Sequence, residues 1–336
     1  MTAPATLVIG PSWVGDMVMA QSLFMRLRQR QPERPIDVLA PAWTRPLIER
    51  MPEVRTALEL PFAHGERALR RRWRLGRALR GRYARALVLP NSWKSALPAA
   101  AARIPERIGY RGEARYGLLT EPRRLDRAHL PMTVQRFVAL AEPAGARCPD
   151  PVPRPRLRID TQARQAALAA HRLDAARAPV LALCPGAEYG PAKRWPAVHF
   201  AAVARAHLQA GWQVWLFGSA RDTAACAELD RHAGGGCVDL SGRTTLAECC
   251  DLLSLAQRVV SNDSGLMHVA AALGRPLVAL YGSSDPGFTP PLGEQAQVLR
   301  LGLPCSPCFA RECPLGHTDC LRQLEPARVL AALGAP

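Results

Sequence analysis

Three stretches place charged or hydroxyl side chains where a strand gives way to a helix through glycine turns. The first, Ile9-Gly-Pro-Ser-Trp-Val-Gly-Asp16, sets a carboxylate at a helix start. At the mouth of an α/β sheet such a group can act as a general base. It can equally be a first-turn acid favoured by the helix dipole. The glycines at 10 and 15, with Pro11 and Trp13 between them, do not spell the G-x-G-x-x-G of a dinucleotide site. The second stretch, Cys184 to Pro196, holds Gly186, Ala187, Glu188, Gly190, Lys193 and Arg194. Its turns free backbone N–H groups for phosphate oxygens, and Lys193 offers a cation to a diphosphate leaving group. The competing reading is a loop with two solvated cations. In the third, Asn262-Asp263-Ser264-Gly265 opens a helix with His268 one turn in. A helix N-terminus receives phosphate, while an ordinary cap with a core histidine would have the same sequence. Gly218 and Ser219, Thr244 to Leu246, and Tyr281 to Asp285 are further strand-end loops on the same rim. No D-x-D occurs, so the metal-chelating diphosphate site of many sugar-nucleotide enzymes is missing. Charge on the leaving group then falls to Lys193, the helix terminus and His268.

These residues need elements to hold them. At 336 residues the chain fits two domains. Short β-branched runs alternate with longer helical patterns, the signature of parallel α/β sheets. In the first half, strands are predicted at Leu7–Ile9, Ile36–Leu39, Ala86–Leu89 and Arg107–Gly109. Helices are predicted over 14–30, 41–51, 68–82 and 93–102. In the second half, strands are predicted at 180–184, 213–217, 238–240, 258–261 and 277–281, with helical crossovers between them. Prolines at 149, 151, 153 and 155 make an extended linker over 147–158. The domains are therefore placed at 1–150 and 151–322, with 323–336 a helix that can fold back over the first domain. Two Rossmann-like domains facing an interdomain cleft describe the GT-B architecture. A dehydrogenase or a two-lobed binding protein is the rival, and the missing glycine fingerprint disfavours the first.

Net charge is +16, from 44 Lys and Arg against 28 Asp and Glu. Much of the surplus sits in one helix and its exit, at Arg67, Arg70, Arg71, Arg72, Arg74, Arg77, Arg80 and Arg82. A solvated charged face is the plain reading. A nucleic-acid arm lacks both interleaved stacking aromatics and a recognised fold motif, so no nucleic-acid partner is expected. The beginning of the chain shows no basic stretch followed by an apolar run, so a cytoplasmic protein is expected. Ten cysteines then read as reduced thiols. Four of them, Cys305, Cys308, Cys313 and Cys320, form C-x2-C-x4-C-x6-C, a spacing that admits a structural zinc, disulfides or idle thiols.

Val14-Gly-Asp-Met-Val-Met-Ala-Gln21, the Gly186–Trp195 loop and Asn262–His268 together resemble the signatures of the family-9 bacterial heptosyltransferases. Leu89-Pro-Asn-Ser-Trp-Lys-Ser95, Arg107-Ile-Gly-Tyr-Arg-Gly112 and Arg115-Tyr-Gly-Leu118 narrow the resemblance to the branch that extends the inner core beyond its first heptose. The resemblance implies inverting transfer of L-glycero-D-manno-heptose from ADP-heptose to that first heptose on Kdo2-lipid A, with no cofactor for the chemistry. It implies Asp16 as base and Lys193 beside the diphosphate and donor sugar. It assigns Asp263 to the donor heptose, Ser264, Gly265 and His268 to the phosphates, and Thr244, Thr245 and Leu246 to adenine. Gly186, Ala187, Glu188, Gly218 and Ser219 complete the donor set. An acceptor carrying Kdo carboxylates and lipid A phosphates at the inner-membrane face suits the basic helix. Arg70, Arg71, Asn91, Ser92, Lys94, Arg111 and Arg115 are the acceptor candidates.

Overall fold

Continuous apolar runs become buried central strands because helices cover both faces of a parallel sheet. The computed structural model describes residues 5–62 and 66–334. Residues 1–4, 63–65 and 335–336 lie outside the described residues, among them the start of the chain that was read as lacking a leader. Two units separate at 155/156, inside the proline-rich stretch.

The first unit contains β1 (Ala5–Ile9), α1 (Val14–Arg30), β2 (Ile36–Pro41), α2 (Arg45–Ile48), β3 (Thr56–Leu60) and α3 (Leu69–Ala78). It continues with β4 (Tyr83–Val88), α4 (Trp93–Ala101), β5 (Glu106–Tyr110), β6 (Glu121–Arg123) and α5 (Thr133–Ala139). All pairings are parallel, in the order β3-β2-β1-β4-β5-β6. The second unit contains α6 (Thr161–His171), β7 (Val180–Cys184), α7 (Ala197–Gln209), β8 (Gln213–Leu216), α8 (Thr223–Ala233), β9 (Val238–Asp239) and α9 (Leu246–Leu253). After these come β10 (Arg258–Asn262), α10 (Gly265–Ala272), β11 (Leu277–Leu280), β12 (Ala296–Leu299), α11 (Asp319–Arg322) and α12 (Pro326–Leu333). Its parallel sheet runs β12-β11-β10-β7-β8-β9.

Counted from the first strand of each half, both sheets have the doubly wound order 3-2-1-4-5-6. Strand order reverses between β1 and β4, and again between β7 and β10. Ligands of such sheets bind outside the carboxyl ends at that reversal. The loops carrying Asp16, Asn91, Lys193 and Asp263 leave these four strands.

Three strands were not anticipated: β3, β6 and β12. Each has partly exposed residues and no long apolar run, and all three are sheet edges. Pro122 within β6 is tolerated only at such an edge. Val329 of α12 is fully buried in a cluster with Phe200, Val203 and Leu324, and the indole N–H of Trp195 donates to Leu324 O at 2.8 Å. The last helix thus contributes to the second unit's core.

Candidate functional site

In the second unit, the exits of β7, β8 and β10 are tied together by two polar residues. Asn262 Nδ2 donates to Pro185 O at 2.7 Å, and its Oδ1 accepts from Trp195 N at 3.1 Å. Buried Asp222 accepts from Ser219 N at 2.9 Å and Ser219 Oγ at 2.8 Å. A Cβ on Gly186 would stand 2.5 Å from the Asp222 carboxyl carbon, so only glycine allows this approach. Neither Asn262 nor Asp222 was among the candidate residues. Glycines at two strand ends, Gly186 and Gly218, were the only local sign of something packed against them.

The same loop delivers Lys193. Its ammonium pairs with Asp263 Oδ2 at 2.5 Å, with the two side chains 17% and 5% exposed. Ser264 precedes α10 without capping it, leaving the first-turn N–H groups to another acceptor. Its hydroxyl lies 3.3 Å from that of Ser261. His268 is buried, and burial lowers its pKa to about 4 against an ordinary 6.5, with the Asp263 carboxylate pulling it up and Lys193 pushing it down. Burial thus favours the neutral form of the His268 imidazole, which still offers one N–H donor.

The other donor candidates divide. Thr245 caps α9 in a reciprocal box, accepting from Glu248 N at 3.2 Å while the Glu248 carboxylate takes Thr245 N at 2.7 Å. Thr244 Oγ1 donates to Leu240 O at 3.4 Å, and Leu246 begins α9. Ala187 is buried, whereas Glu188 is exposed and pairs with Arg221. Gly218 lies against Asp222.

In the first unit, Asp16 occupies the first turn of α1, half-buried, on the loop leaving β1. The Trp43 indole donates to Ser12 O at 2.9 Å and steadies that loop. Asn91 is exposed and Ser92 and Lys94 are half-buried at the exit of β4. On α3, Arg70, Arg71, Arg74 and Arg77 are exposed, and Arg71 also donates to Pro61 O at 2.9 Å. Arg72 instead turns inward over the Phe62 ring at 4.4 Å. Arg111 is exposed.

Arg115, an acceptor candidate, is held inside the first unit. It is 3% exposed, and its guanidinium donates to Pro90 O at 2.6 Å, Tyr110 O at 3.0 Å and Asn91 Oδ1 at 3.2 Å. It shapes the β4 exit from beneath. Arg115→Ala is expected to cost about 2–4 kcal/mol in urea unfolding, because two buried carbonyls lose their donor.

The profile of Glycosyltransferase family 9 (heptosyltransferase) matches residues 72–319. The chain belongs to this family. Lipopolysaccharide heptosyltransferase 2 of Salmonella typhimurium is 47% identical over 97% of each chain. The structure of E. coli ADP-heptose lps heptosyltransferase II superposes with a TM-score of 0.87 at 45% identity, covering 98% of this chain and 97% of that one. Lipopolysaccharide heptosyltransferase 1 of Pseudomonas aeruginosa is 32% identical over 43% of this chain and 44% of its own. The two Rossmann-like units are those of a GT-B glycosyltransferase.

In this family-9 chain the cysteine-rich segment, whose spacing admits a structural zinc, disulfides or idle thiols, holds its four cysteines apart from any disulfide. Among the described residues no group of three or more His, Cys, Asp or Glu is arranged to hold a metal ion. Cys305 and Cys308 are exposed, Cys313 and Cys320 are half-buried, and all four are free thiols. The Cys313 thiol is held below its usual pKa by backbone N–H groups, Thr318 first.

His268 gives this chain a pH signature. Between about 6.5 and 4 the unfolded chain binds a proton that the folded imidazole refuses. This contribution to stability is present above 6.5 and is lost as pH falls towards 4. His268→Gln is expected to flatten the fall of melting temperature across that window relative to wild type, measured in parallel.

Proposed function

We propose that this chain transfers heptose from ADP-heptose to the first heptose of the lipopolysaccharide inner core, with inversion at the anomeric carbon. The observation that carries this is the full-length match to heptosyltransferase 2, set against the partial match to heptosyltransferase 1. In this reading the second unit holds the donor. Asp263 takes the sugar hydroxyls, and Lys193 with the start of α10 takes the diphosphate. Lys193 is already oriented by Asp263 at 2.5 Å. The first unit supplies Asp16, whose carboxylate removes the acceptor hydroxyl proton. The alkoxide oxygen bonds to the anomeric carbon as its bond to the diphosphate breaks, and ADP leaves with the bonding pair. Preorganised charge at the departing oxygens, worth more in a site shielded from water, supplies the rate. The chemistry as drawn needs no cofactor.

The test is to incubate the protein with ADP-heptose and defined truncated cores and to weigh the products. One added heptose on a core that ends in a single heptose is expected. Transfer only to heptose-free Kdo2-lipid A would move the chain to another core position, and no transfer at all would refute the reading.

The acceptor is a lipid, and no helix among the described residues is long and apolar enough to cross a membrane. We place the enzyme peripherally on the cytoplasmic face of the inner membrane through α3. Trp73 and Leu69 are 46% and 43% exposed on the face that carries Arg70, Arg74 and Arg77. An aromatic among guanidiniums suits the headgroup layer of an anionic bilayer. Charge reversal of Arg70, Arg71 and Arg74 to Glu is expected to weaken sedimentation with phosphatidylglycerol vesicles on the order of 10²-fold, at about 1 kcal/mol per basic residue. Unchanged vesicle binding would remove α3 from this role.

A further inference from the structure

The segment from 303 to 318 returns across the carboxyl end of the second sheet. On one side it is pinned to the exit of β11, where Phe309 N donates to Ser283 O at 2.6 Å and Ser306 Oγ donates to Gly282 O at 2.6 Å. On the other it is pinned to the loop that carries Lys193. Ala192 N donates to Arg311 O at 3.0 Å, and the Tyr189 hydroxyl donates to Phe309 O at 2.7 Å. A Cβ on Gly190 would stand 2.4 Å from Arg311 O, so this glycine is what lets the two backbones meet.

Tyr189 sits at the centre of these contacts. The Lys193 ammonium lies 5.0 Å from its ring centroid, and the Arg311 guanidinium lies 5.2 Å from it. Both distances are within the reach of a cation–π attraction. Lys193 therefore has two supports, the Asp263 carboxylate and an aromatic face. A donor diphosphate competes with Asp263 for the ammonium. The ring is then the support that remains, and a planar neutral face does not compete for the phosphate. We infer that Tyr189 is a positioning residue for Lys193, and that the cysteine-bearing segment, through Phe309 and Arg311, keeps the ring in place. The inference rests on the proposal that Lys193 serves the donor diphosphate.

The experiment is a double-mutant cycle on the full chain, using ADP-heptose turnover and, in parallel, calorimetric affinity for ADP. Tyr189→Ala is expected to lower kcat roughly three- to thirtyfold, the range of one cation–π support, with the acceptor KM unchanged. Tyr189→Phe keeps the ring and is expected to lose less than about threefold, which rescues most of the defect. In a Lys193→Ala background, Tyr189→Ala is expected to have no further effect on either readout, since coupled residues are not additive. Full multiplication of the two losses would show that Tyr189 acts independently of Lys193 and overturn the inference. A Lys193→Ala enzyme with wild-type turnover and ADP affinity would overturn the donor reading itself. The ADP arm of the cycle needs no turnover, and the phenylalanine variant guards against loss of fold.

Discussion

Replacing Asp16 with asparagine is expected to lower kcat roughly 10²- to 10⁴-fold while the KM for ADP-heptose changes little. Asparagine has nearly the same shape and still accepts a hydrogen bond, but it cannot take up a proton. Asp16 lies in the first turn of α1, where a negative charge also interacts with the helix dipole. That interaction contributes only about 0.3–1 kcal/mol, so the variant should stay folded. The two roles of the carboxylate therefore separate cleanly. If Asp16 were only a helix-start acid, turnover would stay within about threefold and the melting temperature alone would drop slightly. Steady-state kinetics and a thermal melt on the same preparation distinguish the two.

Lys193→Ala is expected to lose about 10²- to 10³-fold in kcat, the loss typical of removing one preorganised group at a developing negative charge. This substitution also affects the fold. Asp263 is 5% exposed, and without its 2.5 Å partner it is a buried, uncompensated carboxylate. Breaking such a pair from one side destabilises by about 3–5 kcal/mol. Adding Asp263→Asn should recover much of that stability, because no unpaired charge is left behind. It should not recover turnover, since the ammonium is still absent and the proposed sugar contact is weakened. From Lys193→Ala to the double variant, stability in urea should therefore rise while kcat stays low. Recovery of kcat in the double variant would mean that the Lys193→Ala defect was only structural.

How much of this was legible in the sequence differs by element. Central strands such as β1 and β7 were plain because burial on both faces demands unbroken apolar runs, and the extent of α1 matched its periodicity over Val14–Arg30. Edge strands β6 and β12 are half solvated, and their residues carry no such run. The loops at Asp16, Lys193 and Asp263 stood out because glycines and hydroxyls cluster where strands end. What holds those loops was not visible. Asn262 bonds to Pro185, 77 positions away, and nothing near either residue announces the other. Arg115 read as a cation for the acceptor, and nothing near it announced that the carbonyls of Pro90 and Tyr110 fold around it. The cysteine spacing admitted zinc, disulfides or idle thiols, and it carried no sign of the backbone contacts that tie that segment to the Lys193 loop and the β11 exit.

The placement of β1 has a consequence for the making of the protein. Of the strands in its sheet it is synthesised first, yet it is central, paired with β2 on one side and β4 on the other. Its second edge stays open until Tyr83–Val88 has been synthesised. Nascent chains that stall between β2 and β4 thus present a bare, largely apolar strand edge, the kind that recruits chaperones or pairs with a neighbouring chain. The second sheet repeats this exposure, because β7 must wait for β10. Slow decoding of either crossover would be felt as lost yield of soluble enzyme, with no change in the activity of the molecules that fold.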